Sequence, residues 1–352
     1  MNRILNAAEA INDALHVAMQ RDPSVICYGL GVDDPKAIFG TTNGLQAAFG
    51  AARVFDTPTS ENAMTGIGIG AALMGARPVM CHQRLDFFLL AMDQLVNNAA
   101  KWRFTFGEGH SVPLTLRLIM GRGWGQGPTH SQNLQAWFAH IPGLKVVMPS
   151  SAADAKGLLL SSIFDNDPVV FLEHRWIHNH REAVPGGDYR VPIGEAAVLR
   201  QGCDVTVVAM SYLVAEAQHA CRALEADGIH CDLIDLRTIR PMDWNTLATS
   251  LRKTGRLLVL DTGVATGSVA GEIIARLAMQ EWAAFRAPPR RLAAPDCPEP
   301  TSYGLSRTFY ITATEIVAEV RAMLGLGAQA SLPLAPGRPH HDVPGDWFTG
   351  PF

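Results

Sequence analysis

Short apolar segments of strand length alternate with longer amphipathic segments along most of the chain, and this alternation starts twice. The first series begins with a helix pattern at residues 7–21 and ends with a strand pattern at residues 168–173. The second series begins with a strand pattern at residues 204–210 and ends with a helix pattern at residues 314–324. Strands that alternate with helices form parallel sheets covered on both faces. The pattern therefore predicts two successive α/β units.

The domain boundaries follow from a segment rich in proline, glycine and histidine that separates the two series. We predict a first domain over residues 1–175, a linker over 176–192 and a smaller second domain over 193–325. A length of 352 residues exceeds one typical core, which agrees with two domains. Residues 326–352 are rich in proline, glycine and alanine and predict a disordered tail, with docking on a partner subunit as the alternative.

Composition excludes several classes of protein. A net charge of −4 gives no basic excess, so nucleic acid is not an expected partner. The chain has no apolar stretch long enough to span a bilayer, and its first residues lack the apolar core of a signal peptide. The six cysteines are scattered without a Cys-x-x-Cys pair, which predicts reduced thiols in a cytoplasmic protein rather than disulfides or a zinc site.

Several motifs occur in order at characteristic spacing. They are FDTPTSENA at 55–63, GIGIGAA at 66–72, DQLVNNAAK at 93–101, HSQ at 130–132, HIPGLKVVMPS at 140–150 and IDLRT at 234–238. Together they resemble the β subunit of the E1 component of 2-oxo acid dehydrogenase complexes, over roughly residues 7–324. The resemblance implies an α/β fold: a thiamine-diphosphate-binding, pyrimidine-type parallel-sheet domain followed by a smaller transketolase C-terminal α/β domain.

The resemblance assigns roles at the aminopyrimidine ring of thiamine diphosphate. It places Glu61 against the ring nitrogen N1′, Thr59 beside the cofactor, and Phe87 on the face of the ring. A carboxyl group at N1′ favours the imino tautomer, which can remove the thiazolium proton. The alternative for Glu61 is an acidic residue in the first turn of a helix, where the helix dipole favours it. The alternative for Phe87 is core packing, which Phe88 is expected to illustrate.

His130 follows a glycine-rich loop at 121–127 that matches neither a dinucleotide fingerprint nor a P-loop. By resemblance, His130 lines the cavity above the thiazolium ring and steadies the bound 2-oxo acid or helps to receive the acyl acceptor. A histidine can donate or accept a proton near neutral pH, which suits that task. The alternative is a loop histidine that caps the following helix.

Candidate metal sites are few. Leu114, Ser162, Asp165 and Asp167 align with a potassium site of the family that uses mostly backbone carbonyl groups. His178 and His180 in the linker have no further ligand at a useful spacing, so we expect both to be solvated. The run 340–342, His-His-Asp, lies in the tail and is also expected to be solvated.

An absent motif indicates a partner. Thiamine-diphosphate enzymes bind the diphosphate through Mg²⁺ with a Gly-Asp-Gly segment, and this sequence contains none. The resemblance therefore implies an α-type subunit that binds Mg²⁺ and the diphosphate, in an α2β2 assembly with the cofactor shared by the two subunits.

The sequence departs from the family pattern at two positions. Leu30 stands where the family has a carboxylate after the first strand, so the proton network is expected to differ. Arg84 precedes Phe87 and predicts an extra positive charge at the substrate mouth, which would favour an anionic or phosphorylated substrate.

Three functions are compatible with these motifs. The first is oxidative decarboxylation of a 2-oxo acid with acyl transfer to a lipoyl-bearing E2 protein. The second is a split thiamine-diphosphate transketolase or carboligase of a specialised pathway. The third is a non-catalytic scaffold subunit, which the retention of Glu61 and His130 disfavours.

Overall fold

The computed structural model describes residues 2–327, 332, 338 and 340–343. These residues form two units. The first comprises residues 2–121 and 137–193, and the second comprises residues 122–136 together with the described residues from 194 onward. Residues 122–136, the loop that contains most of the glycine-rich segment and His130, thus belong to the second unit, although the first unit surrounds them in sequence.

The first unit contains a parallel sheet with helices along its faces and a separate two-stranded antiparallel sheet. Its strands are β1 (Asn2–Asn6), β2 (Val25–Gly29), β3 (Val54–Asp56), β4 (Arg77–His82), β5 (Thr115–Met120), β6 (Lys145–Val147), β7 (Val169–His174) and β8 (Arg181–Pro185). Its helices are α1 (Ala7–Arg21), α2 (Ala37–Gly40), α3 (Leu45–Phe49), α4 (Glu61–Leu73), α5 (Leu85–Phe88), α6 (Trp102–Phe106), α7 (Gln135–His140), whose first two residues belong to the second unit, and α8 (Ala152–Ile163). The parallel strands follow the order β6-β7-β5-β4-β2-β3.

The central strands of this sheet are buried on both faces. Every residue of β5 and β7 is buried, as expected for a parallel sheet covered by helices on each side. The helices begin at polar caps that satisfy their free N–H groups. Asn6 and Glu9 form a capping box at α1, and the Ser151 hydroxyl accepts from Asp154 N at α8. The predicted α/β architecture of this unit is confirmed.

The structure corrects one helix. The sequence pattern predicts a continuous helix from Phe87 to Phe106, but the segment is broken into α5, a 3₁₀ turn at Leu89–Ala91, a π-helical turn at Gln94–Ala99, and α6. Periodicity alone does not separate these helix types here, because each piece is 3–6 residues long and a period shows only over several turns.

The segment expected to be a linker is part of the first unit. Residues Arg175–Ile177 form a 3₁₀ turn, and β8 pairs antiparallel with β1, with Ile4 opposite Ala183. This pairing joins residues far apart in sequence, so local composition did not reveal it. The strand β1 was likewise not predicted.

The second unit contains a mixed sheet. The strands of this sheet are β9 (Ala197–Arg200), β10 (Val205–Ala209), β11 (Cys231–Asp235), β13 (Leu257–Val264) and β14 (Arg290–Ala294), and the unit also contains the short strand β12 (Thr238–Arg240), which lies outside this sheet. Its helices are α9 (Leu213–Ala226), α10 (Trp244–Thr254), α11 (Val269–Glu281), α12 (Tyr303–Ser306) and α13 (Ala313–Met323). The order is β14-β13-β10-β11-β9, parallel except for the antiparallel edge strand β9.

The described residues bear on two expectations from composition, one about membrane-spanning helices and one about the cysteines. None of the helices in this part of the chain has the length and apolar character needed to cross a membrane. All six cysteines are free thiols, as predicted. Most of the predicted tail, including its aromatic end at 347–352, lies outside the described residues.

Candidate functional site

The carboxyl edge of the first sheet carries the residues that the sequence singles out. Strand β3 ends at Asp56 and leads through the turn that contains Thr59 into α4, which begins at Glu61. Strand β4 leads into α5, which contains Phe87, and β2 separates β3 from β4 in the sheet. Ligands of open parallel sheets bind outside the carboxyl ends of the strands. Thr59, Glu61 and Phe87 therefore follow strand ends where this fold binds ligands.

Glu61 combines burial with an unused carboxylate. The residue is 7% exposed. In the part of the chain that the structure describes, its carboxylate has neither a hydrogen-bond partner nor an ion-pair partner. Buried polar groups are nearly always hydrogen-bonded in folded proteins, so such a carboxyl group is suited to bind a polar atom of a ligand.

The first turns of α4 are fixed against the sheet. The Tyr28 hydroxyl on β2 donates to the Met64 carbonyl at 2.9 Å, and the Thr65 hydroxyl donates to the Glu61 carbonyl at 2.8 Å. Tyr28 is itself buried. These bonds hold the helix start, and with it the Glu61 backbone, in a set position.

Phe87 and Phe88 differ in exposure. Phe88 is buried, with its ring edge-on to His82 at 5.1 Å between centroids and 6.3 Å from Phe138. Core packing is therefore confirmed for Phe88. Phe87 is 37% exposed, which leaves part of its ring open, and Thr59 is exposed. Stacking by Phe87 and cofactor contact by Thr59 stay predictions.

Leu30 leaves the end of β2 without a carboxylate of its own. Its N–H donates to the Cys81 carbonyl at 3.1 Å. The nearby Asp56 carboxylate accepts from the N–H groups of Gly31 at 3.0 Å and Val32 at 2.5 Å. Asp56 is thus engaged in holding the turn after β2 and does not take the place of the missing group.

The prediction that Arg84 places a positive charge at an exposed substrate mouth is wrong. Arg84 is buried rather than exposed at a mouth, and its guanidinium lies 5.6 Å from the centroid of the Phe39 ring. The Arg175 guanidinium lies 4.2 Å from the same ring. Burial and the charge of Arg84 lower the pKa of Arg175 to about 10. The extra positive charge is therefore enclosed in the first unit.

A buried ion pair lies in the strands beside these arginines. Arg117 on β5 donates to Glu173 on β7 at 2.7 Å, and both side chains are almost fully buried. Burial raises the pKa of the Glu173 carboxyl, and the Arg117 charge partly offsets that shift. Sequence analysis did not single out this pair. The available signal was a charged residue inside each of two otherwise apolar strand patterns.

His130 belongs to the second unit, on the loop that ends at α7. Its backbone N–H donates to the Gly127 carbonyl at 3.3 Å, and its Nδ1 lies 3.0 Å from the Thr129 hydroxyl. The side chain is half-buried. Farther along the loop, the Gln135 amide donates to the buried Asp261 carboxylate at 2.6 Å. His130 is not the cap of α7, because that helix begins at Gln135.

The side chains of the potassium candidates are already engaged. Lys145 donates to the Asp165 carboxylate at 2.6 Å, and Arg103 donates to Asp167 at 2.6 Å. The Ser162 hydroxyl donates to the Leu158 carbonyl. The buried Leu114 has an apolar side chain, and its carbonyl accepts from Val169 N at 2.9 Å. These side chains do not fit a cation site, so only backbone oxygens remain as ligands for potassium.

Other histidines depart from the expectation of solvation. His180 is exposed, as predicted, but His178 is fully buried, and burial lowers its pKa well below the usual value. Asp342 is also buried, and the His341 Nε2 lies 3.0 Å from the Ser306 hydroxyl. Sequence reasoning missed these because their neighbours are distant in sequence. Within the described residues, no cluster of three or more His, Cys, Asp or Glu side chains could hold a metal ion.

Comparison with known proteins gives the family. Two family models match: the transketolase pyrimidine-binding domain over residues 4–178 and the transketolase C-terminal domain over residues 194–316. The β subunit of acetoin:2,6-dichlorophenolindophenol oxidoreductase from Cupriavidus necator is 40% identical, over 91% of this chain and 98% of its own. This chain belongs to the E1 β-subunit family.

Other relatives agree with this placement. The 2-oxoisovalerate dehydrogenase subunit β2 of Arabidopsis thaliana is 40% identical over 90% of this chain and 88% of its own. The pyruvate dehydrogenase E1 subunit β of Staphylococcus epidermidis is 41% identical over 83% and 90%. A split-gene transketolase, solved as an inactive β4 tetramer, has a TM-score of 0.74 at 22% identity, covering 92% of this chain and 99% of that one; it shows the shared fold.

E1 β subunits belong to a thiamine-diphosphate-dependent family, and the described residues fit one end of that cofactor. The carboxylate of the largely buried Glu61 has no partner among the described residues and can meet a ring nitrogen. The sequence contains no Gly-Asp-Gly segment to hold Mg²⁺ and the diphosphate. The chain therefore has a residue suited to the aminopyrimidine end of the cofactor. It lacks the Gly-Asp-Gly motif that would bind the diphosphate end.

Proposed function

We propose that this chain provides the pyrimidine-binding half of a 2-oxo acid dehydrogenase E1 and that Glu61 is its cofactor-activating residue. The observation that carries the proposal is the Glu61 carboxylate, which is mostly buried at the carboxyl edge of the sheet and has no partner within the described chain. The helix dipole stabilises an acidic residue in a first turn, by up to about 2 kcal/mol where the residue is partly buried. A carboxylate that loses water without gaining a protein partner also costs free energy, which a ligand hydrogen bond would offset.

The proposed division of labour follows from the residue types. Thiamine diphosphate, when bound, supplies the carbon nucleophile that attacks the 2-oxo acid and holds the electrons released with CO₂. Glu61 would share a proton with the ring nitrogen N1′. Phe87, partly exposed three residues after Arg84, offers an aromatic face for the pyrimidine. His130 would donate a hydrogen bond to the substrate oxyanion or carboxylate.

The partner in this proposal is an α-type subunit that binds Mg²⁺ and the diphosphate. The absent Gly-Asp-Gly segment supports it. We further propose an α2β2 assembly, and a lipoyl-bearing E2 protein as the acyl acceptor. A potassium ion bound by backbone oxygens near Leu114 and Ser162, and a cytoplasmic location, stay predictions.

The test uses the chain reconstituted with its α-type subunit, Mg²⁺ and thiamine diphosphate. The assay follows reduction of dichlorophenolindophenol with a series of 2-oxo acids, which needs no lipoyl protein. We expect E61Q to lower kcat by roughly a hundredfold or more, the scale of a lost acid–base group. The matched control is E272Q, because Glu272 is an exposed acidic residue in the first turn of α11.

The outcomes separate the hypotheses. Loss of activity in E61Q alone supports a catalytic carboxyl group. Equal, small effects in E61Q and E272Q would mean that Glu61 only complements the helix dipole. Turnover with an aldehyde or sugar acceptor, but no dye reduction with any 2-oxo acid, would favour a split transketolase or carboligase. No turnover of any kind by the wild-type assembly would favour a scaffold subunit.

A further inference from the structure

The glycine-rich loop of the second unit has an unusual backbone. Gly123, Trp124, Gly125 and Gly127 all have positive φ, and Trp124 is a bulky residue in that region, with φ of 55°. A non-glycine residue in the left-handed region costs roughly 1–2 kcal/mol. Such a conformation persists only where surrounding contacts enforce it. The question is which contacts hold this loop.

Asp342 supplies the central contact. Its Oδ2 accepts from the Trp124 N–H at 2.8 Å, across a separation of more than two hundred residues. Asp342 is 3% exposed, so this charge-assisted bond is shielded from water. The approach is close, because a Cβ at Gly123 would lie 2.6 Å from Asp342 Oδ1 and 2.7 Å from its carbonyl oxygen. Only glycine fits there.

Arg122, the first residue of the loop, packs against the rings of Tyr212 and Tyr310, which we call the aromatic clamp. Its guanidinium lies 3.9 Å from the Tyr310 ring centroid and 4.8 Å from that of Tyr212. It also donates to the His341 carbonyl at 3.3 Å, and the Tyr310 hydroxyl accepts from Gly123 N at 2.7 Å. Arg122 is 1% exposed. The start of the loop is therefore buried against residues of the second unit.

The segment that carries Asp342 is itself anchored. The His341 ring lies 4.5 Å from the Tyr303 ring, its Nε2 lies 3.0 Å from the Ser306 hydroxyl, and Val343 is buried. This segment lies beyond residue 316, where the match to the C-terminal domain model ends. The contact between tail and loop is thus additional to the two family domains.

We propose that residues 340–343 act as a latch and that Asp342 is a positioning residue for the loop that carries His130. The latch fixes the loop at Trp124, while the Gln135–Asp261 bond fixes its far end. His130 lies between the two fixed points. Its role in catalysis rests on the proposed function, whereas the latch itself does not.

The first test measures loop opening without any assay of activity. Trypsin cleaves after Arg122 only when that residue leaves its clamp. We expect D342A to raise the rate of cleavage at the 122–123 bond by about tenfold or more in the full-length chain, since a charge-assisted hydrogen bond is lost. Mass spectrometry identifies the fragment that begins at residue 123. The control is D204A, because Asp204 also accepts a backbone N–H, from His230, outside the loop.

A pair of glycine variants tests the same contact from the loop side. G123A places a methyl group against Asp342, whereas G125A has the same positive φ and its nearest neighbour, Thr301 O, at 3.7 Å. Both variants carry the backbone strain, but only G123A displaces the latch. We expect cleavage after Arg122 to be faster in G123A than in G125A. Equal rates in the two variants, or a D342A rate equal to that of D204A, would overturn the latch.

The catalytic consequence is measured separately in the reconstituted enzyme. We expect D342A to lower kcat with a small change in KM, and D342N to recover part of the loss because asparagine retains an acceptor oxygen. If D342A opens the loop and H130A keeps full activity, the latch stands and the proposed role of His130 fails. If D342A opens the loop and leaves kcat unchanged, Asp342 is not a positioning residue for catalysis.

Discussion

His82 illustrates at the residue scale how burial sets the chemistry of one side chain. It ends β4, is buried, and packs edge-on against Phe88 at 5.1 Å. Neither ring nitrogen has a hydrogen-bond partner within the described residues. Burial lowers the pKa of His82 to about 4, so the ring is neutral near pH 7. The His82 ring therefore binds a proton more strongly in the unfolded chain than in the folded chain.

This pKa difference predicts an acid-sensitive contribution to stability. The neutral His82 makes its full contribution to the free energy of unfolding above the unfolded pKa of 6.5. This contribution is lost as the pH falls toward 4, because the unfolded state binds the proton first. Between pH 7 and pH 5 the loss is about 2 kcal/mol. We expect H82F to remove this part of the pH dependence, since phenylalanine has a similar shape and no proton to bind. Chemical denaturation of both proteins at the two pH values measures it; the same loss in both would refute the assignment.

Sequence analysis identified candidate site residues from motifs, but it did not predict which polar side chains are buried. It selected Glu61 and Phe87, which the structure places at the edge of the sheet where ligands bind. It missed the enclosure of Arg84, His178 and Asp342. Burial of a polar side chain depends on neighbours from distant parts of the chain, such as Trp124 for Asp342, and no local pattern records them.

At the scale of an element, helix α4 has glycines on both its buried face and its exposed face, and they have different roles. Its buried face includes Gly68, where a Cβ would overlap the Tyr28 hydroxyl and approach Leu114 Cδ1 at 3.4 Å. Its outer face includes Gly70, where a Cβ would meet nothing within 4 Å. The first glycine permits the helix to pack closely on the sheet. The second has no such packing role among the described residues.

These two glycines predict opposite effects on stability. G68A should destabilise the folded chain by about 1–3 kcal/mol, because the methyl group forces Tyr28 from its bond to the Met64 carbonyl. G70A should stabilise it by about 0.5–1 kcal/mol, since alanine favours the helix. Thermal denaturation of the isolated chain measures both. A stabilising G68A would show that the Tyr28 contact can relax without cost.

The elements themselves were predicted unevenly. Helix α1 has the predicted bounds of residues 7–21, since it has a clear apolar period and begins at a capping box. Strands β1 and β8 were missed, because each depends on pairing with the other across most of the first unit. Helix type between residues 87 and 106 was also missed, as the local pattern does not distinguish α, 3₁₀ and π turns.

At the scale of the whole molecule, α4 presents an apolar stripe to solvent. Ile67 is 66% exposed and Met74 is 88% exposed. Gly70 lies on the same stripe, and the nearby Leu90 is 71% exposed. Exposed apolar side chains that cluster on one surface mark interaction sites in soluble proteins. The stripe is therefore the surface that a partner subunit is expected to cover.

A charge in this stripe should prevent assembly without unfolding the chain. We expect I67E to reduce co-elution with the α-type subunit on size-exclusion chromatography by more than tenfold, because the charge would be desolvated in the interface. M279E is the matched control, since Met279 is 78% exposed on α11. Assembly of I67E at the level of the control would place the subunit contact elsewhere.

The sequence position of the glycine-rich loop has a consequence for recombination between homologues. The loop at 122–136 is numbered inside the first domain but bonds to Tyr310, Asp261 and Asp342. A crossover at residue 193 that exchanges only the C-terminal half would give the loop foreign partners. A functional chimera should therefore inherit residues 122–136 and 194–352 from the same parent, so the unit of exchange is discontinuous in the gene.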